Sequence, residues 1–323
     1  MNQANVKRRT VLGGMVGAAA LASVPPLRAA QPGSSVNFLV VGDWGRQGTN
    51  HQRDVAIQMG KAAAALGSRC VLSVGDNFYD DGVASTADPQ WRSSFEDIYA
   101  APSLQIPWYV ALGNHDYRGS PQAQVAYTHK SARWRMPDRY FKIGGANIGA
   151  PHLDLFFIDT SPLVHKYRDD VEGKIAANVA TQDIHAQTRW LDQELGLSTA
   201  SWKLVIGHHT LRSGGSKHGE TAEVIKLIEP LLQKHRVQAY VNGHDHDLQH
   251  IRRGGVDYIC TGAGSEVRPV QSVQGTLFCA ARSGFTSLTS SAESLDLEFR
   301  DYTGATLHRS TVPHSQQTEK AAV

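Results

Sequence analysis

Five apolar runs in this chain each stop at a short polar block, and helical stretches separate most of them. Phe38-Leu39-Val40-Val41 runs into Asp43-Trp44-Gly45, and Val71-Leu72-Ser73-Val74 into Gly75-Asp76-Asn77-Phe78-Tyr79. Trp108-Tyr109-Val110-Ala111-Leu112 ends at Gly113-Asn114-His115-Asp116. Leu204-Val205-Ile206 ends at Gly207-His208, and Ala239-Tyr240-Val241 at Gly243-His244-Asp245-His246. Short apolar runs of this kind are strands buried on both faces of an α/β sheet. Open sheets gather their sites beyond the carboxyl ends of the strands. Blocks far apart in sequence then meet on one rim.

Seven residues in these blocks are the candidate metal ligands: Asp43, Asp76, Tyr79, Asn114, His208, His244 and His246. They supply two carboxylates, one phenol, one amide and three imidazoles, enough for two ions with open positions. Carboxylate and phenolate oxygens suit hard, highly charged cations, whereas imidazole suits first-row divalent ions. Asp76 and Tyr79 lie on one tight turn and can face one ion, and the two oxygens of Asp76 can bridge two. His244 and His246 are two apart, which in a regular strand points both rings to one face. Asn114 beside Gly113 would alone be a turn residue; the neighbouring blocks lift it to a ligand. The chain reads as a binuclear metallohydrolase.

Composition limits the alternatives. With 323 residues, 41% of them hydrophobic, the chain can bury one sizeable core. A net charge of +2 gives no field that would draw nucleic acid or an acidic membrane. No apolar run of ~18 residues occurs in the body, so no membrane span is expected in the mature protein. Residues 1–30 read differently. Lys7-Arg8-Arg9-Thr10 precedes an uncharged run from Val11 to Val24, and Pro25-Pro26 and Ala29-Ala30 follow. A basic head, a weakly apolar middle and a small-residue exit make an export signal, here of the bacterial twin-arginine type. The mature protein is then expected in the periplasm or outside the cell. Cys70 opens a buried strand, and Cys260 and Cys279 lie on late strands where a disulfide stays open.

Residues 31–313 read as a single catalytic domain and 314–323 as a disordered polar tail. Helices are expected at Gln52 to Leu66, Trp91 to Tyr99, Gln182 to Leu195 and Glu223 to Gln233, with a strand at Leu153 to Ile158. Tyr117 to Gly149, polar and aromatic with several prolines and glycines, reads as a loop excursion over the site. After Leu248 short alternating strands at Val256–Ile259, Thr276–Ala280 and Leu295–Phe299 suggest an added antiparallel sheet. The fold class is an α/β (α+β) four-layer sandwich, two packed mixed sheets flanked by helices.

The five blocks resemble those of the purple acid phosphatases, within the calcineurin-like metallophosphoesterase superfamily. The similarity is to the small, single-domain type like mammalian tartrate-resistant acid phosphatase, and covers roughly Phe38 to Val267. Tyr79 is its most specific element, since the wider superfamily generally lacks this tyrosine. The resemblance implies one ion held by Asp43, Asp76, Tyr79 and His246, and another by Asp76, Asn114, His208 and His244. Charge agrees with that division: Fe³⁺ belongs with the anionic set, and a divalent ion (Fe²⁺, Zn²⁺ or Mn²⁺) with the neutral one. A hydroxide generated there would attack phosphorus in line, with both ions neutralising charge. His115, next to Asn114, would orient substrate or protonate the leaving oxygen. His218 resembles the family's second noncoordinating histidine.

Other residues carry weaker expectations. Asp116 reads as a turn residue or an orienter of His115. His209 should point away from the site, and Lys217 with Arg212 would make the pocket mouth basic. The implied activity is that of an exported acid phosphatase on small phosphomonoesters, with phosphorylated peptides and nucleotides among the candidates. A phosphodiesterase or nucleotide hydrolase on the same site is the alternative, and a noncatalytic phosphate-binding protein a third; the latter predicts missing ligands, and none of the seven is missing.

Overall fold

All five apolar runs are strands, and their burial on both faces explains why none alternates with polar residues. A computed structural model describes Met1 and residues 35–169 and 173–314. The expected export signal, Met1 apart, and the expected tail beyond its first residue, His314, lie outside the described residues. In chain order, β1 (Val36–Val41) leads through α1 (Gln52–Leu66) to β2 (Cys70–Ser73) and β3 (Trp108–Val110). Next come α2 (Pro121–Tyr127), β4 (Trp134–Arg135), β5 (Phe141–Gly144) and β6 (Leu153–Phe157). Helices α3 (His165–Asp169), α4 (Ala176–Val179) and α5 (Ile184–Leu197) precede β7 (Trp202–Ile206), and α6 (Ala222–Lys234) precedes β8 (Ala239–Asn242). Then follow β9 (Leu248–Arg253), β10 (Val256–Thr261), β11 (Thr276–Ala280), β12 (Gly284–Ser290), β13 (Leu295–Asp301) and β14 (Thr306–Val312).

Two mixed seven-stranded sheets result, in the orders β14-β13-β12-β1-β2-β3-β4 and β11-β9-β10-β8-β7-β6-β5. Strands β1 to β4 run parallel, as do β6, β7, β8 and β10. Helices flank the sheets. Helix α1 stops where Gly67 turns left-handed and its amide returns to the Ala63 carbonyl. Helix α5 starts at Asp183, whose carboxylate accepts from the amides of His185 and Ala186.

Several expectations change. The stretch from Trp91 forms a π-type turn, Trp91–Glu96, in place of a helix to Tyr99. Residues 117–149 are no loop over the site: β4, with its Trp134 fully buried, extends the edge of the first sheet and β5 the edge of the second. The late strands form no separate sheet. They divide, with β9 to β11 joining the second sheet and β12 to β14 docking beside β1 in the first. Cys260 and Cys279 both stand opposite Gln249 of β9, from either side. Two strand spacings of ~4.8 Å exceed the ~7 Å Cα reach of a disulfide, and all three cysteines are free.

Candidate metal centre

Each block emerges where its strand ends: Asp43 after β1, Asp76 after β2, Asn114 after β3, His208 after β7 and His244 after β8. Leaving the strands so abruptly needs unusual backbone. Asp43, Asp76 and His244 have φ of 58°, 50° and 72°, in the left-handed region. Such non-glycine conformations cost about 1–3 kcal/mol each and collect at functional sites. Gly243 is required for a different reason. A Cβ there would stand 2.2 Å from Asp43 Oδ2, so only glycine lets the two sheets' turns meet.

The Tyr79 hydroxyl is the centre of one cluster. It lies 3.0 Å from Asp43 Oδ1, 3.0 Å from Asp76 Oδ2 and 3.0 Å from His246 Nε2. His246 Nε2 is itself 3.4 Å from Asp43 Oδ1. All four side chains are buried. Burial first, then Asp43 and Asp76, push the Tyr79 phenol well above its ordinary range. One hydroxyl proton cannot serve three partners. Two carboxylates, a phenol and an imidazole converging in a dry site form a donor set that fits a hard cation. Arg46, over the Tyr79 ring at 3.8 Å, is the nearby fixed positive charge, and it is already held by Glu266 at 3.0 Å.

A second cluster shares Asp76. His208 Nε2 stands 3.5 Å from Asp76 Oδ2 and 3.2 Å from His244 Nδ1. His208 Nδ1 donates to the Val74 carbonyl at 2.9 Å, which turns Nε2 toward the cluster. Burial lowers the His208 pKa, but Asp76 and then Asp43 overcome it and raise the group to about 9. Asn114 is buried, and its Oδ1 has no hydrogen-bond partner. An orphaned buried amide oxygen and two facing imidazoles are donor types that fit a divalent cation. His244 and His246 reach the two clusters differently from the sequence expectation. They lie beyond β8 in a turn, so His244 faces His208 while His246 faces Tyr79.

His115 flanks the first cluster. Its ring lies tilted 4.4 Å from Tyr79, and its Nδ1 lies 2.5 Å from the Asp80 carbonyl, which fixes a proton on Nδ1 and leaves Nε2 free. His218 flanks the second, its ring 4.1 Å from His244 and its Nε2 accepting from Arg268 at 3.3 Å. Partial burial, then Arg268, Lys217 and Lys166, lower its pKa. His209 does not point away from the site: its ring packs 4.3 Å from His244, while its nitrogens are taken by Thr160 Oγ1 at 2.8 Å and the Tyr167 hydroxyl at 3.3 Å. Arg212 is no source of free charge at the mouth, because Glu229 and Glu220 hold it at 2.6 and 2.9 Å.

Two carboxylates matter more than their sequence position suggested. Asp116 does not touch the His115 ring. It is fully buried and accepts from the amides of Gly113 (2.8 Å), Asn77 (3.0 Å) and Phe78 (3.3 Å) and from Gln124 Nε2 (2.7 Å). It thereby ties the turn after β2 to the turn after β3. Asp245 accepts from Ser213 Oγ (2.5 Å) and from the amides of Gly219 (3.1 Å) and His218 (3.3 Å), anchoring the loop that carries His218. Acids adjoining ligand residues were the available signal, but sequence spacing does not show which amides they face.

Paired parallel-strand turns carrying this polar rim on two packed mixed sheets define a metallophosphoesterase. Residues 36–248 match the calcineurin-like phosphoesterase family. Purple acid phosphatase 4 of Arabidopsis thaliana is 38% identical over 291 residues, 87% of this chain and 84% of that protein. Tartrate-resistant acid phosphatase type 5 of Oryctolagus cuniculus is 32% identical over 300 residues, 86% of this chain and 91% of that protein. The chain belongs to the purple acid phosphatases. Among solved structures, GAP50, the anchor in the inner membrane complex of Plasmodium, aligns with a TM-score of 0.73 at 22% identity, covering 89% of this chain and 94% of that one. That likeness is one of fold alone.

Proposed function

We propose that this protein is an exported binuclear acid phosphatase acting on small phosphomonoesters. Asp43, Asp76, Tyr79 and His246 would hold Fe³⁺, and Asp76, Asn114, His208 and His244 a divalent ion (Fe²⁺, Zn²⁺ or Mn²⁺). The observation that carries this reading is the convergence of two carboxylates and His246 on one buried tyrosine hydroxyl. Such a metal pair supplies activation of water and neutralisation of phosphoryl charge. The chain's own residues do the rest. The Asp80 carbonyl fixes the His115 ring with Nε2 outward, to meet the leaving oxygen and give it a proton. His218, held by Arg268 and by its loop on Asp245, orients the substrate on the opposite side.

Residues 31–313 are read as one catalytic unit and residues 1–30 as its twin-arginine signal. Replacing Arg8 and Arg9 by lysine should then trap activity in the cytoplasm, and unchanged export would exclude that signal.

The test of the centre is metal analysis with a visible absorption spectrum. A phenol ionises near pH ~10 in water, but bonding to a trivalent cation holds it as phenolate at acidic pH, and phenolate on Fe³⁺ absorbs visible light. Active protein should be pink to purple, and Tyr79→Phe should bleach it. A colourless, fully active protein containing only divalent metal would overturn the iron assignment and leave the phosphoesterase. His115→Ala should keep both metals and lose about 10²–10⁴ in kcat, the usual range for general acid catalysis.

A further inference from the structure

Beyond His218 the rim opens into a cavity of about 280 Å³, lined by Lys166, Lys217, His218, Glu220 and Glu223 and reaching the buried His209 and His244. Its acids are occupied. Glu220 is held by Arg212 at 2.9 Å and approached by Arg253 at 3.7 Å. Glu223 accepts from the His165 amide at 3.3 Å and faces the His165 ring at 3.9 Å. Its cations are not. Among the described residues neither Lys166 nor Lys217 forms an ion pair, and Lys166 only overlies the Tyr167 ring at 5.0 Å. A larger cavity on the other side of Lys166, about 440 Å³, carries Arg118 and Lys174 besides Lys166; there Lys174 is bound by Asp81, and Arg118 reaches the Asp80 carbonyl at 3.4 Å. On the His218 side, Lys166 and Lys217 share one cavity with His244, against the proposed divalent position.

We propose that Lys166 and Lys217 form a subsite for a second anionic group on the leaving portion of the substrate. The favoured substrates are then small phosphomonoesters that carry another phosphate or a carboxylate. The inference rests on the phosphatase reading and deepens it. Two cations from separate elements, α3 and the loop after β7, meet one cavity whose far wall is the reaction site. A leaving group bound at the lysines would place its ester oxygen back toward the rim. Both lysines are exposed, so each contact is worth only a few-fold, about tenfold for the pair, and weakens with salt.

The test compares kcat/KM of the metal-loaded enzyme for glycerol monophosphate, phosphoglycerate and glycerol bisphosphate, in wild type, K166Q, K217Q and the double variant. The readout is the ratio of each doubly anionic substrate to glycerol monophosphate, which cancels any general change in turnover. The ratio is expected to fall about tenfold in the double variant, less in each single variant, and to fall in wild type as salt is raised. A fall with the bisphosphate alone assigns the subsite to phosphate; a fall with both assigns it to either anion. An unchanged ratio, with all three compounds hydrolysed, overturns the subsite and leaves the phosphatase. Failure of wild type to hydrolyse even glycerol monophosphate overturns both.

Discussion

Asp76 turns its two oxygens to different tasks. Oδ1 accepts from the His115 amide at 2.8 Å, while Oδ2 faces Tyr79 at 3.0 Å and His208 at 3.5 Å, between the two clusters. Asp76→Ala should therefore lose both metals along with activity, where a residue of one cluster would lose one. Metal content per chain measures this, and retention of two ions would remove the bridging role. Asp116 makes the opposite case, a residue that touches neither cluster's partner atoms yet holds their turns. Asp116→Ala strands the amides of Gly113, Asn77 and Phe78 in a dry site. Leaving a buried donor unsatisfied costs about 1–3 kcal/mol, so urea unfolding should shift by at least that much and metal affinity should fall as well. The contrast shows what was legible at this scale. Candidate ligand types could be read from chemistry, since few residues bind hard cations, and the fold brings several of them into contact. The role of Asp116 could not, because hydrogen bonds to amides of another turn leave no trace in residue type.

The strands and long helices were legible for the same physical reason, a periodic pattern long enough to count. Helix α1 runs over Gln52–Leu66 as expected, and α5 and α6 differ from expectation by one or two residues at each end. The stretch from Tyr117 to Gly149 was not legible. Its strand β4 has two residues and β5 four, too short for alternation to show. What holds this stretch is long-range. The Tyr117 hydroxyl donates to Asp159, just past β6 of the second sheet, and receives Arg139 at 2.8 Å. Burial raises the Asp159 carboxyl to about 7, and its Oδ1 has no partner. The unfolded value is ~3.9, so between those values the folded state binds the extra proton. Stability from this group is fully present below pH ~4 and is lost as pH rises through about 7, at up to ~1.4 kcal/mol per pH unit. Asp159→Asn keeps an acceptor for Tyr117 and removes the proton. Urea midpoints of the variant should vary less between acidic and neutral pH than those of wild type; equal slopes would show that Asp159 does not titrate in this range.

Across the whole molecule, the two sheets are joined at the rim by the groups proposed to hold metal. Asp43, Asp76, Tyr79 and Asn114 come from turns of the first sheet, and His208, His244 and His246 from turns of the second. Each proposed ion takes ligands from both sheets, so the metals act as cross-links in the folded state. Without them, two carboxylates, a phenol and three imidazoles remain crowded and dry, an arrangement that burial alone disfavours. A ligand that binds only the folded chain stabilises it by RT ln(1 + [L]/Kd), about 4 kcal/mol when free metal is ~1,000 times Kd. At ~2–4 °C per kcal/mol for a chain of this size, losing one ion should lower Tm by about 10 °C and stripping both by about twice that. Calorimetry before and after treatment with a chelator and reductant measures the drop. His246→Ala removes the second sheet's contribution to the Tyr79 cluster, so this variant should begin lower and lose less on stripping. Equal melting of loaded and stripped wild type would mean that the ions do not couple the sheets, and the rim would then owe its closure to Gly243 and to the direct hydrogen bond from the His244 amide to Asp43 Oδ2 at 3.1 Å.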